Sequence, residues 1–237
     1  MERTDPSSWP RPIWHHPWKM YRVTSGHLGC VGSIAFDPSN KWFCTGSADR
    51  TIKIWDVATG KLQLTLTGHT GQIRGLAISS RHTYMYSAGD DREVKCWDLT
   101  QTSIPRISIV LHLRQRTTFR SSTFREGNFY TIFAQQNTIV NAMTVNGEGV
   151  MVTGGDNGSL WFWDWKSGHN FQQSQTIAQP GSLDGEAGIY ALSYDVTGTR
   201  LVTCGADKTI KMWKQDEHAT PETHPLNFSA PKDIRRF

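Results

Sequence analysis

Residues 26–56 read GHLGCVGSIAFDPSNKWFCTGSADRTIKIWD, and residues 68–98 read GHTGQIRGLAISSRHTYMYSAGDDREVKCWD. Both stretches open on Gly-His and close on Trp-Asp, and they are offset by 42 residues. Between those ends, short alternating apolar runs separated by Gly, Asp and Asn signal strands and tight turns. Each stretch carries a hydroxyl before the turn (Thr45, Ser87), an Asp in it (Asp49, Asp91) and an indole at the end of the next strand (Trp55, Trp97). With His27 or His69 from the incoming loop, the four side chains suit one buried hydrogen-bond chain. Each link is worth about 1 kcal/mol net, and each buried group left unpaired costs more.

The spacing lies inside the ~40–45 residues of a WD-repeat propeller blade, so the chain reads as an all-β WD-repeat β-propeller. Aligning later Trp residues on the same frame gives two degenerate units. One has Thr153 and Trp163, with Gln136 where the His belongs and Asn157 for the Asp; the other has Thr203, Asp207 and Trp213, with Gly185 for the His and Trp213-Lys214 for Trp-Asp. About four blades are legible. A His, an Asp and a hydroxyl in one unit imitate a hydrolase triad, but the set recurs beside a Trp in both complete units, as a fold-holding network does and a single active site does not. With no G-x-S-x-G elbow, phosphate loop or H-E-x-x-H, no enzyme, cofactor or metal is expected.

Composition agrees. The 237 residues carry 25 Lys or Arg against 21 Asp or Glu, a formal charge of +4, and 37% are hydrophobic, enough for a sizeable core. Ten Trp is a high count, as an indole-anchored repeat demands. Cys30, Cys44, Cys96 and Cys204 have neither metal nor disulfide spacing and read as packing residues. No apolar run has the ~18 residues of a membrane span, and no secretory leader is evident, so a soluble intracellular protein is expected.

Beyond the generic blade, three stretches resemble the pleiotropic regulator family. These are Trp14-His15-His16-Pro17-Trp18-Lys19 through Thr51-Ile52-Lys53-Ile54-Trp55-Asp56, then Gly154-Gly155-Asp156-Asn157 through Trp163-Asp164-Trp165 with Gln179-Pro180-Gly181-Ser182-Leu183-Asp184, and finally Ala219-Thr220-Pro221-Glu222-Thr223-His224-Pro225 to Phe237. The resemblance implies a nuclear, non-catalytic scaffold of the spliceosome, associated with the nineteen complex in pre-mRNA splicing, with splicing-complex proteins as partners. It also implies links to signalling and to cullin-based ubiquitin-ligase adaptor work. That alternative is associated with an Arg two residues after Trp-Asp, where this chain has Ala58, Thr100 and Lys166. Family members have seven blades, and here blade two runs into what resembles blade six, so three units of 42 residues are absent and the ring is expected to be incomplete.

The expected organisation is an N-terminal segment over 1–17, two blades over 18–100, an irregular Arg-rich junction over 101–125, two degenerate blades over 126–214 and an extended tail over 215–237. The junction reads either as an RNA contact or as stray sequence. Wedges cut for seven blades span about 51° each, where four-fold closure needs about 90°, so a gap and self-association through open blade faces are expected. Residues from Trp18 to Thr24 are the candidate outer strand beside Thr209–Trp213. Candidate partner-binding residues are Arg50, Arg92 and Lys208, which follow the turn Asp, together with Arg74; an ordinary solvated role for them stays open. The basic end of the tail, Lys232, Arg235 and Arg236, is the candidate contact to RNA or to a neighbouring subunit, and a disordered end is an equally open reading.

Overall fold

The structure, a computed structural model, describes residues 11–80, 84–99, 106–112 and 136–228. Sixteen strands are described: β1 Trp18–Ser25, β2 Val31–Phe36, β3 Trp42–Ser47, β4 Ile52–Asp56, β5 Leu62–Leu66, β6 Ile73–Ile78, β7 Tyr84–Gly89, β8 Glu93–Asp98, β9 Arg106–His112, β10 Val140–Val145, β11 Val150–Gly155, β12 Ser159–Asp164, β13 Asn170–Gln175, β14 Ile189–Tyr194, β15 Arg200–Gly205 and β16 Thr209–Gln215. They form four antiparallel four-stranded sheets, ordered β2-β3-β4-β5, β6-β7-β8-β9, β10-β11-β12-β13 and β14-β15-β16-β1. These are the first to fourth blades. Each inner strand carries a register shift near its start, as between Val31 and Ser33 or Ile73 and Gly75, which sharpens the twist of the blade.

The inner strands lie side by side in the order β10, β14, β2, β6, so the third blade packs on the fourth, the fourth on the first and the first on the second. Among the described residues β6 and β10, at the two ends of this row, are not packed together, and the ring is open. Three apolar cores fill the three seams. Every seam obeys one rule. The face of a blade that carries its Trp meets the opposite face of the preceding blade, so Trp213, Leu192 and Leu201 meet Val152, Leu160 and Phe162. Trp55, Phe43 and Val31 likewise meet Val202, Cys204, Ile210 and Met212. Finally Trp97, Met85 and Ile73 meet Cys44, Ile52 and Ile54.

β1 pairs with β16 in the expected place, from Trp18 opposite Gln215 to Ser25 opposite Thr209, so the N-terminal strand completes the blade made by the C-terminal ones. It also ties that blade to the next. Trp18 is buried, lies flat against Phe162 with ring centres 5.9 Å apart, and exchanges two backbone hydrogen bonds with the Gln172 side chain. The junction differs from expectation. Within 101–125, residues 106–112 are not irregular but form β9, the outer strand of the second blade, because β8 would otherwise present an unpaired edge. The rest of the junction lies outside the described residues.

Removing the Trp18 ring leaves a large void in the seam between third and fourth blades. Trp18→Ala is expected to lower the unfolding free energy by about 3–5 kcal/mol, while Lys19→Ala, at an exposed position of the same strand, changes it by less than about 0.5 kcal/mol. Urea unfolding followed by far-UV circular dichroism measures both.

Candidate functional site

In the first blade the indole N–H of Trp55 donates to Thr45 Oγ1 at 2.7 Å, Thr45 donates to His27 Nε2 at 2.8 Å, and His27 Nδ1 donates to Asp49 at 2.9 Å. Asp49 also accepts from the Leu28 N–H and from Thr51. The second blade repeats the chain through Trp97, Ser87, His69 and Asp91 at 2.8, 2.7 and 2.7 Å. Only one proton arrangement satisfies every member, with a neutral imidazole protonated on Nδ1. Burial lowers the His27 pKa against the opposing pull of Asp49, which keeps the ring neutral. Burial alone would raise Asp49, but its hydrogen bonds from Thr51, Leu28 and His27 prevail and hold the carboxyl at about 2.

The degenerate blades close the same bond between strands with other partners. In the third, Trp163 donates to Thr153 at 3.0 Å, Thr153 to Gln136 Oε1 at 2.7 Å, and the Gln136 amide to Ser159. Asn157 instead accepts the Ser159 N–H. In the fourth, Trp213 donates to Thr203 at 3.1 Å, while Asp207 takes a buried ion pair with Lys211 at 2.6 Å and the backbone N–H of Gln179. Gly185, read from sequence at the place of the His, sits instead in the short 3-10 helix Asp184–Ala187 with open space around it; the Gln179 N–H bonds Asp207 as those of Leu28 and Thr70 bond Asp49 and Asp91, so Ala178 stands where the His belongs. Lys211, assigned from sequence only to blade structure, thus supplies the cation beside the turn Asp where the His is absent. Lys53 and Lys95, at the same repeat position, bond Thr65 and Glu93 instead.

Sequence reasoning also passed over Gly29 and Gly71. A Cβ there would lie 2.7 and 2.5 Å from the backbone nitrogens of Asp49 and Asp91, so only glycine lets the loop bearing the His lie against the Asp turn. The signal was present as one more pair offset by 42 residues.

The candidate docking residues share the rim made by these loops and turns. Arg50, Arg92 and Lys208 each occupy left-handed backbone, at φ of 68°, 65° and 66°, and the third blade places Gly158 at the corresponding position with φ of 82°. A side chain there costs about 1–2 kcal/mol that glycine would avoid. Arg50 and Arg92 are exposed and Lys208 is half-buried. Arg74 is engaged, donating to both oxygens of Asp90, so it adds little net charge. At the junction of the termini, Trp14 donates to the His224 carbonyl, His15 contacts the buried Asp164, and His169 meets Phe228 edge-on, so the start of the tail docks on the N-terminal segment. Lys232, Arg235 and Arg236 lie outside the described residues.

The model of the WD domain, G-beta repeat, matches residues 18–56, 60–98 and 178–214. Each match begins ahead of its blade's inner strand, so a sequence repeat such as 60–98 spans β5 of one sheet and β6 to β8 of the next. Protein pleiotropic regulatory locus 1 of Arabidopsis thaliana is 49% identical over 338 residues, covering all of this chain and 69% of that protein. The chain belongs to the pleiotropic regulator family. Its relatives include pleiotropic regulator 1 of Homo sapiens, 40% identical over 96% of this chain and 63% of that one. They also include pre-mRNA-splicing factor PRP46 of Saccharomyces cerevisiae, 34% identical over 96% of this chain and 73% of that one. The Arabidopsis alignment spans 338 residues against a chain of 237, so this family member lacks a stretch its relatives carry. That deficit matches the expected loss of three 42-residue blades once the junction is counted as their replacement.

The pKa directions set the acid response. Because the folded state holds His27 below its ordinary 6.5, its contribution is complete above pH 6.5 and is lost as pH falls through the lower folded value. That of Asp49 is complete above 3.8 and is lost between there and about 2. Stability measured by urea titration is expected to decline in two stages below pH 6.5. His27→Gln should weaken the first stage and leave most of the second, which the Thr51 and Leu28 bonds to Asp49 mainly carry. A second test is Lys211→Met, which leaves the Asp207 charge buried without its partner and is expected to cost about 3–5 kcal/mol by the same titration.

Proposed function

We propose that the chain is a nuclear, non-catalytic protein-interaction scaffold of the spliceosome, associated with the nineteen complex during pre-mRNA splicing. The observation that carries this reading is its 34–38% identity, over nearly the whole chain, to proteins named as pre-mRNA-splicing factors in three yeasts. The site chemistry supports a contact role. In the first two blades the His, Asp, hydroxyl and indole groups are spent on one another inside the fold, and in the other two the hydroxyl, indole and turn residue are likewise engaged with neighbouring groups of the fold. A nucleophile, a base and an oxyanion-binding group converging on an open cleft would be needed for catalysis.

Arg50, Arg92 and Lys208 supply the docking contacts on the loop rim and take an acidic protein segment. Three of four blades keep a cationic side chain at a backbone position that favours glycine, a local cost that binding explains and folding does not. No Arg follows Trp-Asp at the positions held by Ala58 and Lys166, so nothing favours the ubiquitin-ligase adaptor role over scaffolding.

Tagged protein recovered from nuclear extract is expected to bring splicing subunits and small nuclear RNA. Recovery of neither, where a full-length relative succeeds, contradicts the proposal. The double variant R50G/R92G separates docking from folding. It is expected to leave the fold as stable or more stable by up to about 1 kcal/mol, while reducing recovery of splicing proteins several-fold. Unchanged recovery would remove the rim from the account.

A further inference from the structure

At the end of the fourth blade away from the Asp207 turn, neighbouring strands set cation opposite cation. Lys19 of β1 lies opposite Lys214 of β16, and Lys214 lies opposite Arg200 of β15. The three side chains therefore share one face, the one that carries Met212 and Val202 into the seam with the first blade. With strands about 4.8 Å apart, the row is about 10 Å long. Like charges directly opposite one another weaken a sheet, so this row works against the fold. The repeat shows it to be a departure. Where the first three blades hold Asp56, Asp98 and Asp164, this blade holds Lys214, and where the residues paired with those acids are Trp42, Tyr84 and Val150, it holds Arg200. Asp56 and Asp164 accept hydrogen bonds from the turns that follow them, through Thr59 and Ser167. After β16 the chain leaves for the tail, which explains why the acid is dispensable here and not why cations replace it.

Neutralisation within the fold is partial. Lys19 is 65% exposed and pairs with Asp216 at 2.5 Å, and Arg200 reaches the buried Asp195 only at 3.8 Å. Lys214 is exposed, and among the described residues no carboxylate pairs with it. Tyr21, the extra residue of the bulge in β1, gathers the cations. Lys214 Nζ and Arg22 Cζ lie 5.9 and 5.5 Å from its ring centre, and Arg22 also donates to the Ala58 carbonyl of the first blade. Burial raises the Tyr21 pKa against the pull of Arg200 and Arg22, so both guanidinium groups act on the same ring. The exposed Met20 and Val23 of β1 lie opposite Trp213 and Lys211, on the other face, so the row itself carries no apolar anchor.

We propose that this row binds the phosphate backbone of RNA without reading its bases. Cations gathered on an aromatic ring suit a polyanion of regularly spaced charges, which needs no side-chain pocket. An acidic protein segment would need a desolvated anchor residue as well. The inference goes beyond the scaffold reading. The loop rim and the row lie at opposite ends of the blades, so one chain can hold a protein partner and an RNA strand at once.

Fluorescence anisotropy of a short labelled oligouridylate, titrated with the full chain at several salt concentrations, tests this. Log affinity is expected to fall against log salt with a slope of about −2, as three neutralised phosphates on a single strand require. Lys214→Asp, which restores the acid of the other blades, is expected to weaken binding at least about tenfold and flatten the slope by about 1. Its urea midpoint should stay at or above that of the wild type, because the like-charge row is broken. Arg200→Gln should weaken binding in the same direction, while R50G/R92G on the rim leaves it within about twofold. RNA binding that Lys214→Asp and Arg200→Gln leave unchanged would overturn the proposal, as would a lowered Lys214→Asp midpoint or an equal loss in the rim variant. A polyglutamate peptide that binds as tightly as the RNA would also overturn it and assign the row to acidic protein. Because the titration uses pure protein and RNA, its failure would leave the extract experiment on splicing proteins untouched.

Discussion

A buried hydroxyl that accepts an indole N–H from the neighbouring strand is the interaction on which the rest depends. Trp55, Trp97, Trp163 and Trp213 make it with Thr45, Ser87, Thr153 and Thr203 at 2.7 to 3.1 Å. An indole carries a large apolar surface and one donor, and these four fill or face the seams between blades with that donor satisfied, whereas the Trp18 indole N–H is buried in its seam without a hydrogen-bond partner. In the four, the hydroxyl that satisfies the indole must then place its own proton. His27, His69 and Gln136 take that proton in three blades. The His then passes on an Nδ1 proton to the turn Asp, which in turn organises the loop by accepting its backbone N–H groups. Loop position, turn shape and strand pairing are in this way coupled through one buried chain.

The same chain sets what the surface can offer. With the Asp and His turned inward, the rim exposes the residue immediately after the Asp, and that residue is held in left-handed backbone. Seam packing is directional, because a face bearing a Trp is never opposed to another such face. Four wedges stacked by this rule leave unlike ends, and an arc built for a larger ring keeps those ends apart. The open ring therefore results from the seam rule together with a missing stretch of sequence, without any defect in the blades present.

The legible part of the fold was the part that repeats. The columns headed by Gly26-His27 and Gly68-His69 located the strands of the first two blades, and the apolar pattern around Trp163 and Trp213 located those of the other two. The pairing of Trp18–Ser25 with β16 was also readable, since its alternation needed an unpaired edge. Less legible were features in which one residue type serves different ends. Lys53, Lys95 and Lys211 form a uniform column, yet only Lys211 reaches the turn Asp, in the blade where Ala178 rather than a His precedes the N–H that bonds it. The strand at 106–112 was hidden by flanking Arg residues that masked its apolar alternation. The clasp between Gln172 and Trp18 joins residues far apart in sequence, and no local pattern announces it. The Arg74–Asp90 pair depends on a register that the alternation alone does not specify.

The most direct measurement is indole hydrogen exchange by nuclear magnetic resonance on tryptophan-labelled protein. The account predicts that the Nε1 protons of Trp55, Trp97, Trp163 and Trp213 exchange only through global unfolding, with a common free energy that tracks the urea-derived stability. Exchange of any of the four at the rate of a free indole in water would contradict it, because the bond that couples strand, turn and loop would then be dispensable in the folded state.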